Sequence, residues 1–388
     1  MRGPWLALPL FLSPACSASS HGSIQIGAMN LDQRAERNET HALTLAPGQT
    51  LELFTSYGSI EVHAVEGAAP SLQARVRASG RTREEAELVL GRYQLVLESR
   101  AGALRVELRG EPLEIREGLM HFSQAACVDF VATVPSGAPL VADTGSGDIT
   151  THGVLGACTL ETDYGSLKLG GARGEVQATS GSGDVSVRDL EGEHVYVGSE
   201  YGDVRAFGVR ASGALTLESG SGDVVLERAQ AATIELTTDY GSVTLADGRG
   251  AVTAHSGSGD VRLAGASGAV KASSDYGTVT IDGVLSGLAA SSGSGSVSAL
   301  ARAGSAHTSE WRLSSDYGSV TLSVPATFAG TLDARTDYGS IECDFPITLE
   351  AGKKKKDDGT LRGTIAGGGA PISLRSGSGD VALKKLPD

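Results

Sequence analysis

From Ala142 onward apolar and polar residues alternate in short runs, and each pair of runs is separated by a glycine-containing stretch. The first three are Thr144-Gly145-Ser146-Gly147-Asp148-Ile149, Thr162-Asp163-Tyr164-Gly165-Ser166-Leu167 and Ser180-Gly181-Ser182-Gly183-Asp184-Val185. The aliphatic residue that follows each stretch serves as an anchor: Ile149, Leu167, Val185, Val204, Val224, Val243, Val261, Val279, Val297, Val320, Ile341 and Val381. Successive anchors lie 18 to 23 residues apart, except for a last gap of 40 that predicts a degenerate unit anchored at Leu361. Nine residues before the anchor the chain carries Leu140, Cys158, Val176, Val195, Leu215, Ile234, Val252, Val270, Leu288, Trp311, Leu332 and Ile372. Apolar positions at −9, −7, 0 and +2 with polar residues between them are the period-two signature of strands with one buried face. Each unit therefore reads strand, corner, strand, followed by a connector of variable length that is expected to be a surface loop.

Position −2 is glycine in every unit: Gly147, Gly165, Gly183, Gly202, Gly222, Gly241, Gly259, Gly277, Gly295, Gly318, Gly339 and Gly379. One residue type at one corner implies a positive φ or a close approach of backbone to backbone. The corners come in two kinds, SGSGD and DYGS, that alternate along the chain. Carboxylates stacked on successive coils would stand ~4.8 Å apart, and alternation doubles that spacing. Position −3 alternates too, placing Tyr164, Tyr201, Tyr240, Tyr276 and Tyr317 between serines, while Tyr338 follows Tyr317 directly and breaks the order.

These periods predict an all-β chain, a parallel β-solenoid (β-helix) of about 18–20-residue coils whose N-terminal part is irregular and contains one short helix. Leu51 and Leu53 with Gly58, Ile60 and Val62, and Leu95 and Leu97 with Gly102, Leu104 and Val106, fit the same template. Thr82 with Glu85 forms a capping box ahead of Ala86 to Leu90. The chain divides into a signal segment 1–16, a flexible tether 17–40, an irregular β region 41–139 and regular coils over 140–388.

The alternating SGSGD and DYGS corners, the Val134-Pro135-Ser136-Gly137 run and the closing Gly367-Gly368-Gly369 resemble the bacterial putative-adhesin β-strand-repeat family over about Leu51 to Leu383. That resemblance implies a surface-located solenoid and brings no catalytic residues with it.

Composition bears on partners. Glycine accounts for 53 of 388 residues and aromatics for 5%, so the core is built from small residues. A net charge of −14 excludes nucleic acid, whose binding rests on neutralising phosphates. Met1-Arg2, the apolar run Trp5 to Leu12 and Ser13-Pro14-Ala15-Cys16 have the order of an export signal. Cys16 is the expected lipidation site and the only link to a membrane; a plain secretory signal is the alternative. The expected location is the outer membrane, the periplasmic face or the cell surface. Cys158 and Cys343 fall in inward columns, and a Cys127–Cys158 disulfide is the alternative to buried thiols.

No G-x-S-x-G, P-loop or HExxH pattern occurs, and of the eight histidines only His255 is expected on a repeat strand. The GSGD corners resemble calcium-binding β-roll turns only superficially, because the β-roll period is half as long. No cofactor is expected beyond that structural calcium option, and each corner Asp is expected to accept backbone N–H bonds instead. The tyrosines Tyr164, Tyr201, Tyr240, Tyr276, Tyr317 and Tyr338 are either packing over corner glycines or a ladder for a ligand. The reading is a non-enzymatic envelope module for a glycan or protein, with a solenoid carbohydrate-active enzyme and a signalling accessory as alternatives. Lys353 to Lys356 read as a solvated loop tip.

Overall fold

The computed structural model describes residues 25–26, 29–117, 120–349 and 359–386. Over these residues the fold is an all-β parallel solenoid with one short helix. Cys16, the rest of the signal segment and Lys353 to Lys356 lie outside the described residues. The chain divides into two compact units with the boundary at Arg173/Gly174, except that Ala178–Ser180 belong with the first.

A coil has three sides rather than two. In the second unit Val185–Arg188, Leu190–Gly192 and Val195–Ser199 are successive strands of one turn, and each pairs in parallel with its counterpart in the next coil. What was expected to be a loose connector is the third side, and it buries Leu190, Val209, Ala229, Ala266 and Leu285. The chain turns onto that side four residues after the anchor, where Asp189, Gly208, Asp247 and Gly265 have φ of 54°, 70°, 59° and 69°, and Arg228 alone among them departs in residue type with 54°. Glycine and aspartate tolerate this left-handed conformation at least cost, which is why those residue types recur there. The anchors Val204, Val224, Val243, Val261 and Val279 are all 0% exposed. Complete burial of an aliphatic side chain contributes roughly 1.5–3 kcal/mol, so a core with few large aromatics, Phe130 and Trp311 among them, is built by repetition.

In the first unit the coil of Thr50–Tyr57 and Ile60–Val65 pairs in register with Leu140–Ser146 and Ile149–His152, setting Leu51 beside Leu140 and Ile60 beside Ile149. The template at Leu95 and Leu104 is not a second coil. Tyr93–Arg100 and Ala103–Gly110 form an antiparallel hairpin that pairs with Thr50–Tyr57 through its second strand. The alternation was read correctly, but alternation does not specify strand direction. Beyond Ile60–Val65 lie Cys127–Pro135, then Ser71–Gly80, then Gln33–Ala42, the last two antiparallel. Gln33–Ala42 therefore corrects the expected tether over residues 33–40: its polar residues face solvent while its backbone is held by the neighbouring strand.

These outer strands carry ion pairs where a bare edge would invite further strands. Arg109 and then Arg100 hold the Glu98 carboxyl down at about 2. The helix Arg83–Gly91 begins as expected, with the Thr82 hydroxyl accepting the Glu85 N–H. Glu85 in turn accepts the Arg81 N–H rather than closing the box on Thr82.

The far end of the second unit departs from chain order. The last strands, Pro371–Ser376 and Val381–Lys385, sit between the coil of Trp311–Ser315 and Val320–Val324 and the coil of Gly330–Thr336 and Ile341–Cys343. Leu361 anchors no parallel coil. It lies in Thr360–Ile365, which runs antiparallel to both Gly330–Thr336 and Ile347–Leu349 and covers the open edge. Sequence spacing could not reveal this, because an inserted coil and an appended one have the same period.

Paired cysteines test the insertion. Ser314 and Arg375 are register partners, as are Arg335 and Arg375. Ser314→Cys with Arg375→Cys should oxidise readily to a disulfide, whose Cα atoms must come within about 7 Å. Ser314→Cys with Arg335→Cys should not, because a strand separates them. The reverse result on non-reducing gels would restore chain order.

Candidate functional site

The tyrosines are positioned by corners whose other residues are committed to holding the stack. Five residues before each anchor stands a buried serine or threonine. In the second unit these are Ser199, Ser219, Thr238, Ser256, Ser274, Ser292, Ser315, Thr336 and Ser376. Each hydroxyl works twice. Thr238 donates to the Gly222 carbonyl of the preceding coil at 2.9 Å and accepts the Gly241 N–H of its own corner at 3.1 Å. Ser256 repeats this with the Gly241 carbonyl and the Gly259 N–H, and Ser274 with the Gly259 carbonyl and the Gly277 N–H. The same pattern occurs in the first unit, where Thr162 joins the Gly147 carbonyl to the Gly165 N–H.

In the second unit the corner glycines follow from this contact and not from φ. Gly241 is outside the left-handed region, but a Cβ built on it would sit well inside 3.0 Å of the Gly222 carbonyl oxygen. Gly259, Gly277, Gly295 and Gly318 meet the preceding coil in the same way. Of the two explanations offered by the sequence, close backbone approach holds throughout, and positive φ adds to it only in the first unit, at Gly58 and Gly147 with φ of 128° and 159°.

The corner aspartates accept backbone N–H bonds, as expected, but from the adjacent coil. Asp223 accepts from Ser242 at 2.8 Å, Asp260 from Thr278 at 2.7 Å and Asp380 from Ser340 at 2.7 Å.

Alternation is complete once the inserted coil is counted. In spatial order position −3 of the second unit reads Ser182, Tyr201, Ser221, Tyr240, Ser258, Tyr276, Ser294, Tyr317, Ser378, Tyr338. Tyr338 therefore does not break the rule. Position −4 alternates with it for a backbone reason: a Cβ on Gly220, Gly257, Gly293 or Gly377 would lie under 3.0 Å from the carbonyl oxygen of Glu200, Asp239, Asp275 or Asp316. An acid–tyrosine corner is therefore followed by one with glycine at −4. The first unit has the same sequence of Tyr57, Ser146 and Tyr164, with Ser146 the register partner of Tyr57.

The rings stand mostly in solvent. Tyr201, Tyr240, Tyr276, Tyr317 and Tyr338 are 66%, 70%, 69%, 70% and 87% exposed, and Tyr164 is 73% exposed. With strands ~4.8 Å apart, tyrosines on alternate coils recur every ~10 Å. Each is preceded by an acid: Glu200, Asp239, Asp275, Asp316 or Asp337. The second unit thus presents a row of flat aromatic faces and carboxylates, suited to stacking and hydrogen bonding along an extended ligand. In the first unit Tyr57 and Tyr164 flank a groove of about 710 Å³ lined also by Phe54, Glu107, Asp143 and Asp163. Burial, with Asp163 close by, pushes the Asp143 carboxyl above its ordinary range.

Cys127 and Cys158 are not joined by a disulfide; both are buried, and burial pushes the Cys158 thiol up to about 12. Sequence reading missed Tyr57 and the whole hydroxyl column. The signal was present, since every anchor has Ser or Thr five residues before it.

The fold and its corners define the class: a parallel β-solenoid with three-sided coils. Within that class the chain matches the Toastrack DUF4097 model over residues 131–283 and 214–384, and it belongs to that family. Similar solved structures include a putative adhesin from Bacteroides fragilis NCTC 9343, 12% identical, covering 91% of this chain and 97% of that one at a TM-score of 0.27. Others are a putative cell adhesion protein from Clostridium sporogenes ATCC 15579 (9% identity, 91% and 100% covered, TM-score 0.18) and a putative lipid binding protein from Parabacteroides distasonis ATCC 8503 (13% identity, 92% and 98% covered, TM-score 0.23). No curated protein matches the chain.

The corner contact makes a quantitative test. Thr238→Val keeps shape but strands the Gly222 carbonyl and the Gly241 N–H, a loss of about 1–3 kcal/mol. Gly241→Ala should cost a similar ~1–3 kcal/mol by overpacking. Gly248 is a poor control because its Cβ would meet the Leu245 side chain. Gly287 is a better one, its Cβ falling 3.4 Å from that of Ala269. Gly287→Ala should stay within about 0.5 kcal/mol in urea titrations. Equal effects at Gly241 and Gly287 would refute the stacking account.

Proposed function

We propose that the protein is a non-enzymatic binding module of the bacterial envelope that takes an extended, uncharged or amino-bearing glycan along its tyrosine row. The observation that carries this reading is the high exposure of Tyr201, Tyr240, Tyr276, Tyr317 and Tyr338 on every second coil. A ring in water does little for the stability of its own coil, and serine suffices at the same position in the coils between. The regular spacing suits a polymer with a repeating unit. Acids beside each ring and a net charge of −14 disfavour polyanionic chains and favour hydroxyl- or amine-rich ones. The carboxylates of Asp223, Asp260 and Asp380 each hold a backbone N–H of the adjacent coil, a structural use that leaves the acids beside the rings for a ligand.

Anchoring belongs to the same proposal. Cys16 carries the lipid and holds the protein at the outer membrane or cell surface; among the described residues no helix is long and apolar enough to cross a membrane.

Two measurements check these points. On a glycan array with neutral, amino-sugar and uronic polymers, binding should be confined to the first two. Tyr240→Ala with Tyr276→Ala should weaken it, by an expected ~1–3 kcal/mol per lost stacking contact if sugars stack as bases do on aromatic rings. Undiminished binding by the double variant, or capture only of an envelope protein, would sink the glycan reading. Cys16→Ser should move the protein from the membrane to the soluble fraction, and unchanged fractionation with an unmodified N-terminus would remove the lipid anchor.

A further inference from the structure

A second cluster lies in the first unit, away from the tyrosine corners in sequence and built by the same in-register stacking. Aligned on the anchors Ile60 and Ile149, His63 and His152 both occupy position +3, and the two are register partners on adjacent parallel strands. His255 is therefore not the only histidine on a repeat strand. The His63 and His152 rings stack with centroids 4.9 Å apart and planes inclined by 14°. Glu61, two residues before His63, shares its outward face because side chains alternate along a strand. Its Oε1 lies 3.0 Å from His63 Nε2 and 3.6 Å from His152 Nε2. All three donor atoms fall within 4.8 Å of one another.

We propose that Glu61, His63 and His152 form a binding site for a divalent late transition metal of the zinc class. Two imidazoles and one carboxylate are the donor set such ions prefer over magnesium or calcium, which take oxygen ligands. Tetrahedral zinc with ligands ~2.1 Å away needs donors roughly 3.4 Å apart. The two distances to Glu61 bracket that figure, and to face one ion the two rings must turn out of their parallel stack about their side-chain torsions, which their exposed position leaves free. The side chains are 38% exposed for His63, 44% for Glu61 and 55% for His152, so an ion can enter from solvent and keeps a fourth position open. Neighbours on the same face leave room: Thr133 pairs with His63, and Val131 and Thr150 pair with Glu61. The nearest cation in those rows is Lys168, the partner of Thr150 and not of Glu61.

The test is zinc titration of the full chain by calorimetry, in a Cys343→Ser background that removes the half-buried thiol. One ion per chain should bind in a distinct step, and zinc should raise the melting temperature by mass action. His63→Ala and His152→Ala should each abolish both effects, Glu61→Gln should weaken them, and His255→Ala should leave them intact. These positions are on the surface, so unchanged circular dichroism will show that the variants fold. Binding that survives both histidine variants, or no zinc-dependent melting shift in the parent, would overturn the site.

Discussion

The structure depends on a hydroxyl that reaches from one coil to the next. A parallel stack satisfies its backbone along the strands through ladder bonds, but at a corner the ladder is interrupted and peptide groups turn inward, away from water. An unpaired buried carbonyl or N–H costs about 1–3 kcal/mol, and a corner repeated in every coil would multiply that cost. The serine or threonine at −5 meets both groups with one atom, accepting from its own corner and donating to the one before. For the hydroxyl to reach, successive corners must lie backbone against backbone, and that closeness excludes a Cβ at −2. The invariant glycine is thus a consequence of the hydroxyl bond.

The same closeness explains why the corners are of two kinds and why the chain end is inserted. An acid–tyrosine corner is followed by one with glycine at −4, because a side chain there would strike the carbonyl of the acid. After the Tyr317 corner the next coil in sequence is another of that type, at Tyr338. The chain supplies the missing SGSGD corner from residues 376–380, setting Gly377 against Asp316 and Gly379 against Gly318. Stacking rules at the corner override chain order, and the leftover strands at 347–349 and 360–365 cover the edge that results.

Most of the fold was legible in the sequence because it follows from period and from residue type. The buried columns at −9, −7, 0 and +2 lie where the alternation puts them, except that Ile341 and Cys343 are only half-buried. Three features were not legible, each for a physical reason. The third side of the coil is short and buries one or two apolar residues per turn, so Leu190 or Ala229 gives no alternating signal. Strand direction leaves no trace in a period-two pattern, which is how the hairpin of 93–100 and 103–110 passed for a coil. Neighbourhood across an insertion is not encoded locally, and so Tyr338 read as an exception. The candidate site was half legible: the tyrosine column stood out, whereas its exposure depended on whether the rings fold back over the glycines.

That exposure bears on what the tyrosines are for. At the corners the stack makes demands on −5, which must carry a hydroxyl, on −2, which must lack a Cβ, and on −1, whose oxygen reaches the next N–H. Position −3 is under no such constraint, since Ser221, Ser258 and Ser294 serve in coils whose backbones pair as well as those of Tyr240 and Tyr276. A tyrosine that is about seven-tenths in water gives up most of the free energy its ring would gain by burial. Its contribution to folding is therefore small, and the interaction that would recover that energy lies outside the chain. The scaffold holds five such rings in the second unit at a regular interval, and a partner that covers them in succession gains from each without ordering any further backbone.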